Sequence, residues 1–323
     1  FFLNPEAGFR DPLWSRGLGD VYKRQGIQDS QLITIDGKVM AVAFMANTQH
    51  LYYREDVLKE LGIPVPKTYE EVVAASEKIR ASGKMQYPYA AAYKAGWNLA
   101  EEFVNMFIGH GGEFFKAGTA EPNINNAKGV ATLNMLKKLA SLSNPDYLTH
   151  DSEAIKVEWE SGKVALMTLW ASRSGTLLDD EGDAKITAAT KLTGPATVGG
   201  GNIPAATLWW DGFTLAKNRS DSDAEASFIA LAHAASNKKM VADAADQAVW
   251  LVEGFVPGPK SIGVIEAVKM GAKPYPMLPQ MGLMHGALGS EIVEFLQGKE
   301  SAEQALKDVE AAYISKAKEQ GFL

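Results

Sequence analysis

The run Val164-Ala165-Leu166-Met167-Thr168-Leu169, bounded by Gly162 and Trp170, is short, apolar and strand-like. A buried strand must be covered, and segments with helix grammar surround it. Thr68-Tyr69-Glu70-Glu71 places a hydroxyl where it can cap the amide of Glu71, with the Glu71 carboxylate able to reach back, so a helix is predicted over about 69–81 with Gly83 near its stop. The same grammar recurs at Ser222-Asp223-Ala224-Glu225 and Ser301-Ala302-Glu303-Gln304, and Leu306, Val309 and Tyr313 then share one apolar face. Ala131 to Leu142 and Ile292 to Leu296 also read as helical. Leu32 to Ile35 and Lys38 to Val42 flank Asp36-Gly37, a two-residue hairpin signal. Gly194 to Pro204, with Gly199-Gly200-Gly201-Asn202 and two prolines, reads as a loop. Helices alternating with short buried strands define an α/β protein. At 323 residues, about two domains are expected on the usual prior of roughly 150 each.

Composition narrows the function classes. Hydrophobic residues make up 46% and charged residues 22%, which excludes disorder and collagen. A net charge of −7 without a basic patch argues against nucleic acid. The longest apolar runs, such as Val39 to Ala46, fall far below the roughly 18 residues of a spanning helix. There is no cysteine, which removes disulfides, zinc-thiolate sites and cysteine nucleophiles and suits an oxidising compartment. The start, Phe1-Phe2-Leu3-Asn4, has neither the basic region nor the long apolar stretch of a signal peptide. Asp20-Val21-Tyr22-Lys23-Arg24-Gln25 resembles the translated end of a sequencing-library adapter, so residues 1–25 are expected to be foreign to the domain and the true chain truncated at its start.

Asp36-Gly37-Lys38-Val39-Met40-Ala41-Val42, followed by Asn47-Thr48-Gln49-His50-Leu51-Tyr52-Tyr53-Arg54-Glu55-Asp56, resembles the crossover segment of family 1 extracellular solute-binding proteins, which serve ABC importers for sugars and polyols. The order continues through Trp159-Glu160-Ser161-Gly162-Lys163-Val164-Ala165-Leu166-Met167, Leu208-Trp209-Trp210-Asp211-Gly212-Phe213 with Ala216-Lys217-Asn218, and Tyr275-Pro276-Met277-Leu278-Pro279-Gln280-Met281. The resemblance implies a two-lobed clamp of the type II, maltodextrin-binding-like class, with ligand in the cleft. Its first lobe is expected to be incomplete, formed by residues 26–44 and 211–265, and its second by 45–210 and 266–323. It further implies a sugar or polyol ligand, ABC permease subunits as partners, a monomer when full length, a periplasmic or lipid-anchored location, and no cofactor.

A carbohydrate offers flat C–H faces and rings of hydroxyls, so its site needs aromatic platforms and planar polar groups. Trp97 stands at a loop-to-helix entry, where the family often places a cleft aromatic. Trp170 follows the apolar strand at its C-terminal end, where open α/β sheets bind ligands. Arg173 can donate paired hydrogen bonds to hydroxyls or pair with Asp179 or Asp180. Trp209, Trp210 and Asp211 fall at the second crossing, where Gly212 permits close backbone approach; the two tryptophans cannot face one side together, so one belongs to the core. The resemblance places Asn47 and His285 at cleft positions, although Asn is also a turn residue and a lone His is often structural. Trp159 and Trp250 are assigned to the core.

The alternative is a carbohydrate-active hydrolase working with paired carboxylates from Glu101, Glu102 and Asp211. No nucleophile elbow supports a serine hydrolase, since Ala171-Ser172-Arg173-Ser174-Gly175 only approaches one. The five histidines show no metal spacing, and Gly199 to Gly201 lacks the ending of a phosphate loop.

Overall fold

The computed structural model describes residues 34–35, 38–179, 182–235, 238–251 and 255–323. The stretch 1–25 expected to be foreign lies outside them, as does Asp180. The chain opens with β1 (Thr34–Ile35) and β2 (Lys38–Val39), paired antiparallel with Thr34 opposite Val39, as the turn signal predicts. It continues through β3 (Val42–Asn47), β4 (Gln49–Arg54), α1 (Glu55–Leu61), α2 (Tyr69–Ala81) and β5 (Tyr89–Ala90). Next come α3 (Trp97–Gly109), α4 (Ala127–Ala140), α5 (Ser152–Glu160), β6 (Leu166–Trp170), α6 (Ser174–Leu177), α7 (Ala184–Ala189) and β7 (Thr190–Thr193). The rest is β8 (Thr207–Phe213), α8 (Asp221–Ala235), α9 (Lys238–Asp243), β9 (Val249–Trp250), α10 (Ile262–Lys269), β10 (Lys273–Pro274), α11 (Met281–Leu296) and α12 (Ala302–Glu319).

Two four-stranded sheets organise these elements, ordered β10-β8-β3-β9 and β5-β6-β4-β7. The chain passes between them at Thr48, the single residue separating β3 from β4. The first sheet therefore keeps β3 as far as Asn47 and takes β8 from Thr207, beyond the limits of 44 and 211 expected for the first lobe. Its edge strand β10 comes from residues expected to lie in the second lobe. The large core lies beside the second sheet, where Leu99, Phe103 and Phe107 of α3, Leu133 and Leu136 of α4, and Leu288 and Ile292 of α11 are fully buried. Each such side chain contributes about 1.5–3 kcal/mol of burial. Leu306, Val309 and Tyr313 join them from α12 as one buried face.

The helix starts show how local chemistry acts. Thr68 Oγ1 caps α2 by accepting from Glu71 N at 3.1 Å, whereas the Glu71 carboxylate takes the amide of Lys67 at 2.6 Å. Thr68 is held in a bridge to Thr197, which sets the entry of the chain into the helix. At α8 the cap is Ser220, whose hydroxyl accepts from Asp223 N at 3.2 Å, not the expected Ser222. The helix expected from Ala131 begins at Ala127, because Asn126 accepts from the amides of Lys128 and Gly129. The helix expected from Ile292 extends back to Met281, through glycines of low helix propensity that packing overrides.

One contact between α10 and β4 is unusually close. A Cβ on Gly263 would lie 2.0 Å from Cδ2 of His50, whose ring is fully buried and stacked on Tyr52 at 4.4 Å. Gly263→Ala is expected to cost about 1–3 kcal/mol, the range for overpacking a close-packed site. Urea unfolding should show a lower midpoint at unchanged slope, and His50→Ala in the same chain should recover part of the loss.

Candidate functional site

Ladder register brings two tryptophans to the crossing between the sheets. Trp209 of β8 stands opposite Asn47 at the end of β3, and Trp170 of β6 stands opposite Gln49 at the start of β4. Their rings meet edge to face at 5.9 Å. Trp97, the first residue of α3, packs on both, 6.2 Å from Trp170 and 5.9 Å from Trp209, and remains 50% exposed. Tyr275, just past β10, packs on Trp209 at 4.5 Å, and His285 of α11 packs on Trp97 at 5.0 Å. Four elements and the segment after β10 thus converge on one aromatic platform.

The His285 ring is buried and both nitrogens are engaged. Nε2 lies 3.0 Å from the Trp97 carbonyl, which can only accept, so Nε2 carries the proton and Nδ1 accepts from the Tyr275 hydroxyl at 2.9 Å. Burial, only partly offset by the Trp97 hydrogen bond, lowers the His285 pKa to about 4, so the ring is neutral at pH 7. Burial also raises the Tyr275 phenol, with the nearby Glu101 adding to the effect. Gly289 brings α11 against the start of α3: Gly96 N donates to Gly289 O at 2.9 Å, and a Cβ on Gly289 would lie 2.3 Å from Gly96 O.

Beneath the platform lies a buried polar network. Thr207 Oγ1 is 2.8 Å from Oε1 of Glu101 and 2.8 Å from Oδ1 of Asn105, and the Trp209 indole N–H reaches both Thr207 Oγ1 and Glu101 Oε1. Asn105 Nδ2 donates to Gln49 Oε1 at 3.2 Å. Burial raises both Glu101 and Glu102 to about 8, against the hydrogen bonds that favour their ionised forms. Each retains one oxygen without a protein partner.

Of the sequence candidates, Trp97, Trp170, Trp209 and His285 come together. Asn47 sits beside them, but its carboxamide holds the turn after β6, accepting from Ser172 N at 3.2 Å and donating to Ser172 Oγ at 3.3 Å. Arg173 forms an ion pair with Glu153 of α5. Trp210 is half-buried opposite Ala46, on the other face of β8 from Trp209; Asp211 is exposed opposite Met45; and Gly212 stands opposite Ala43. Trp159 is buried, with its indole N–H on Thr190 Oγ1 at 3.0 Å. Tyr275 was not singled out as a site residue, although its position in an aromatic-proline segment was a usable signal. Glu101 and Glu102 are buried on one helix, whereas Asp211 is exposed on β8. Among the described residues no cluster of three potential metal ligands occurs, and no helix is long and apolar enough to cross a membrane.

A sequence profile described as "Bacterial extracellular solute-binding protein" matches residues 4–251, starting within the stretch expected to be foreign. The chain belongs to this family. A relative from Deinococcus radiodurans, named "Probable ABC transporter-binding protein", is 29% identical over 57% of this chain and 44% of its own length. The "Multiple sugar-binding protein" of Streptococcus mutans is 40% identical over 20% of this chain and 15% of its own. The chain thus spans less than half of these relatives. Among solved structures, maltose-bound MalE3 of T. maritima matches with TM-score 0.79 at 18% identity, covering 93% of this chain and 78% of that one. A ribitol complex from Agrobacterium radiobacter K84 matches with TM-score 0.76 at 20% identity, over 92% and 77%. These likenesses establish the type II periplasmic-binding-protein fold for the family member described here.

The buried groups set a pH dependence of stability. Between 4.5 and about 8 the folded protein holds protons on Glu101 and Glu102 that the unfolded chain releases, so stability falls as pH rises through that window. His50 and His285, lowered by burial from 6.5 to about 4, act oppositely, and their stabilising effect is lost as pH falls from 6.5 towards 4. The two effects oppose one another between 4.5 and 6.5; above 6.5 the carboxyls dominate. Tm measured by calorimetry should decline between pH 6.5 and about 8, and Glu102→Gln should flatten the decline.

Proposed function

We propose that this chain is the ligand-capturing portion of the substrate-binding component of an ABC importer, taking a sugar or polyol and passing it to the permease subunits. The observation that carries this reading is the Trp97, Trp170 and Trp209 platform, with Trp97 half exposed, at the point where the chain crosses between two sheets. Indole faces match sugar C–H faces, and a crossing point is where hinge closure would bring a second wall over the ligand. The lobes would be 26–44 with 211–265 and 45–210 with 266–323, a reading suggested by β3 and β8 lying in one sheet and β4 to β7 in the other. Ligand binding would shift the open-closed equilibrium by its differential affinity, with no covalent step. The protein would act as a periplasmic or lipid-anchored monomer when complete.

Solved neighbours bound to maltose, ribitol and D-mannitol support a neutral polyhydroxylated ligand. Other relatives are named sn-glycerol-3-phosphate-binding proteins. The platform favours the neutral class, because His285 is uncharged at pH 7 and Arg173, the cation following Trp170, is already paired with Glu153.

Calorimetric titration with maltose, ribitol, D-mannitol and sn-glycerol 3-phosphate tests this. Binding of at least one neutral ligand, recovered unchanged by mass spectrometry, is expected; turnover would favour the hydrolase. Trp97→Ala or Trp170→Ala should weaken that binding by about 1–3 kcal/mol with the fold retained. A Trp170→Ala variant that melts much earlier yet binds normally when folded would make Trp170 a core residue.

A further inference from the structure

The Glu101 carboxyl is wholly inaccessible to solvent, yet it sits where an apolar side chain would carry no desolvation cost. Its Oε1 accepts from Thr207 Oγ1 at 2.8 Å and from the Trp209 indole N–H at 3.2 Å. The Thr207 hydroxyl has one proton to give and also lies 2.8 Å from the Trp209 nitrogen, so it accepts from the indole while donating onward to Glu101 or Asn105. Asn105 Oδ1 also accepts the Thr207 amide at 2.8 Å, so Glu101 Oε1 and Asn105 Oδ1 share the Thr207 hydroxyl proton, and of the two only Glu101 Oε1 takes the Trp209 indole N–H directly. The carbonyl of the same Thr207 accepts from Thr48 Oγ1 at 2.8 Å, at the crossing between β3 and β4. One buried carboxyl is therefore linked through a single threonine both to the plane of Trp209 and to the interlobe crossing.

We infer that Glu101 is a positioning residue, which fixes the ring plane of Trp209 and through it the packing of Trp97 and Trp170, so that the platform is held in register with the crossing at Thr48 and Thr207. An indole turns about two side-chain torsions, and an N–H anchored at one edge removes that freedom before a ligand arrives, so less ordering remains for binding to accomplish. Two features separate this role from mere packing: the acceptor oxygen matters and the negative charge does not, and the state of the carboxyl is felt at one particular indole. The importance for ligand affinity rests on the platform reading above; the link between Glu101 and Trp209 does not.

The test uses the full chain labelled with ¹⁵N at tryptophan, in which the Trp209 indole signal is assigned by its loss in Trp209→Phe. In the native protein that signal should exchange slowly with water and should shift with pH as Glu101 ionises near pH 8. Glu102 on the same helix titrates in the same range, while Tyr275 ionises far above it and His285 far below. Glu101→Gln keeps the acceptor oxygen and removes the titration, so it should abolish the pH shift, or leave only the weaker response to Glu102, with solvent protection intact. Glu101→Leu should speed indole exchange by about tenfold or more, as expected for loss of an anchoring hydrogen bond, and should displace the Trp97 and Trp170 signals as well. For whichever of maltose, ribitol or D-mannitol the native protein binds, affinity should fall about fivefold or more in Glu101→Leu and stay within about twofold in Glu101→Gln. An unaltered pH shift in Glu101→Gln, or native-like protection in Glu101→Leu, overturns the positioning role; should the leucine variant not fold, the glutamine titration decides alone. Failure of the native protein to bind any of the three ligands overturns the functional reading instead, and the indole signal still decides whether Glu101 holds Trp209.

Discussion

Thr48 is the only residue between a strand of one sheet and a strand of the other, and the rest of the architecture depends on how its surroundings are satisfied. A chain that leaves one ladder for another exposes backbone groups that neither sheet can pair, and in a buried position each unpaired group is costly. Here the Thr48 hydroxyl bonds the Thr207 carbonyl, the Asn47 carboxamide bonds the Thr48 amide at 3.0 Å, and Asn105 of α3 takes the Thr207 amide. Helix α3 is thereby tied to the crossing and brings Trp97 at its first position to the same place. The platform is a consequence of closing the hydrogen-bond network at the junction.

That network also explains the electrostatic character of the site. Gathering Glu101, Glu102, His285 and Tyr275 away from water favours their uncharged forms, with both carboxyls raised and the imidazole lowered. An uncharged surface of indoles and a phenol offers flat faces and a hydroxyl, and no positive charge to pair with a phosphate. The same burial makes Glu101 and Glu102 a burden on stability at mildly alkaline pH.

Much of the helical structure beside the second sheet was legible from local patterns. The extent of α2 followed from Thr68, Glu71 and the apolar spacing after them, because a cap and a periodic face are decided within a few residues. The start of α4 was misplaced because the cap at Asn126 was not read, and α11 was truncated because its glycines lower helix propensity. One of those glycines is required for a reason found elsewhere in the chain: Gly289 must accept the backbone of Gly96 at close range. No window of sequence around Gly289 carries that information.

The sequence by itself determined the α/β class, the aromatic content from which a platform could be made, and the family, through an ordered set of segments. It also determined that Trp209 and Trp210 face opposite ways, since strand alternation is a local rule. Only the tertiary structure decided which of them joins Trp97 and Trp170, that Tyr275 completes the group, that both nitrogens of His285 are spent on Trp97 and Tyr275, and that Glu101 lies beneath the platform. The physical reason is that these groups meet through ladder register and helix packing between residues from ten to 188 positions apart, whereas caps, turns and periodicity are settled by neighbours within a few positions of one another.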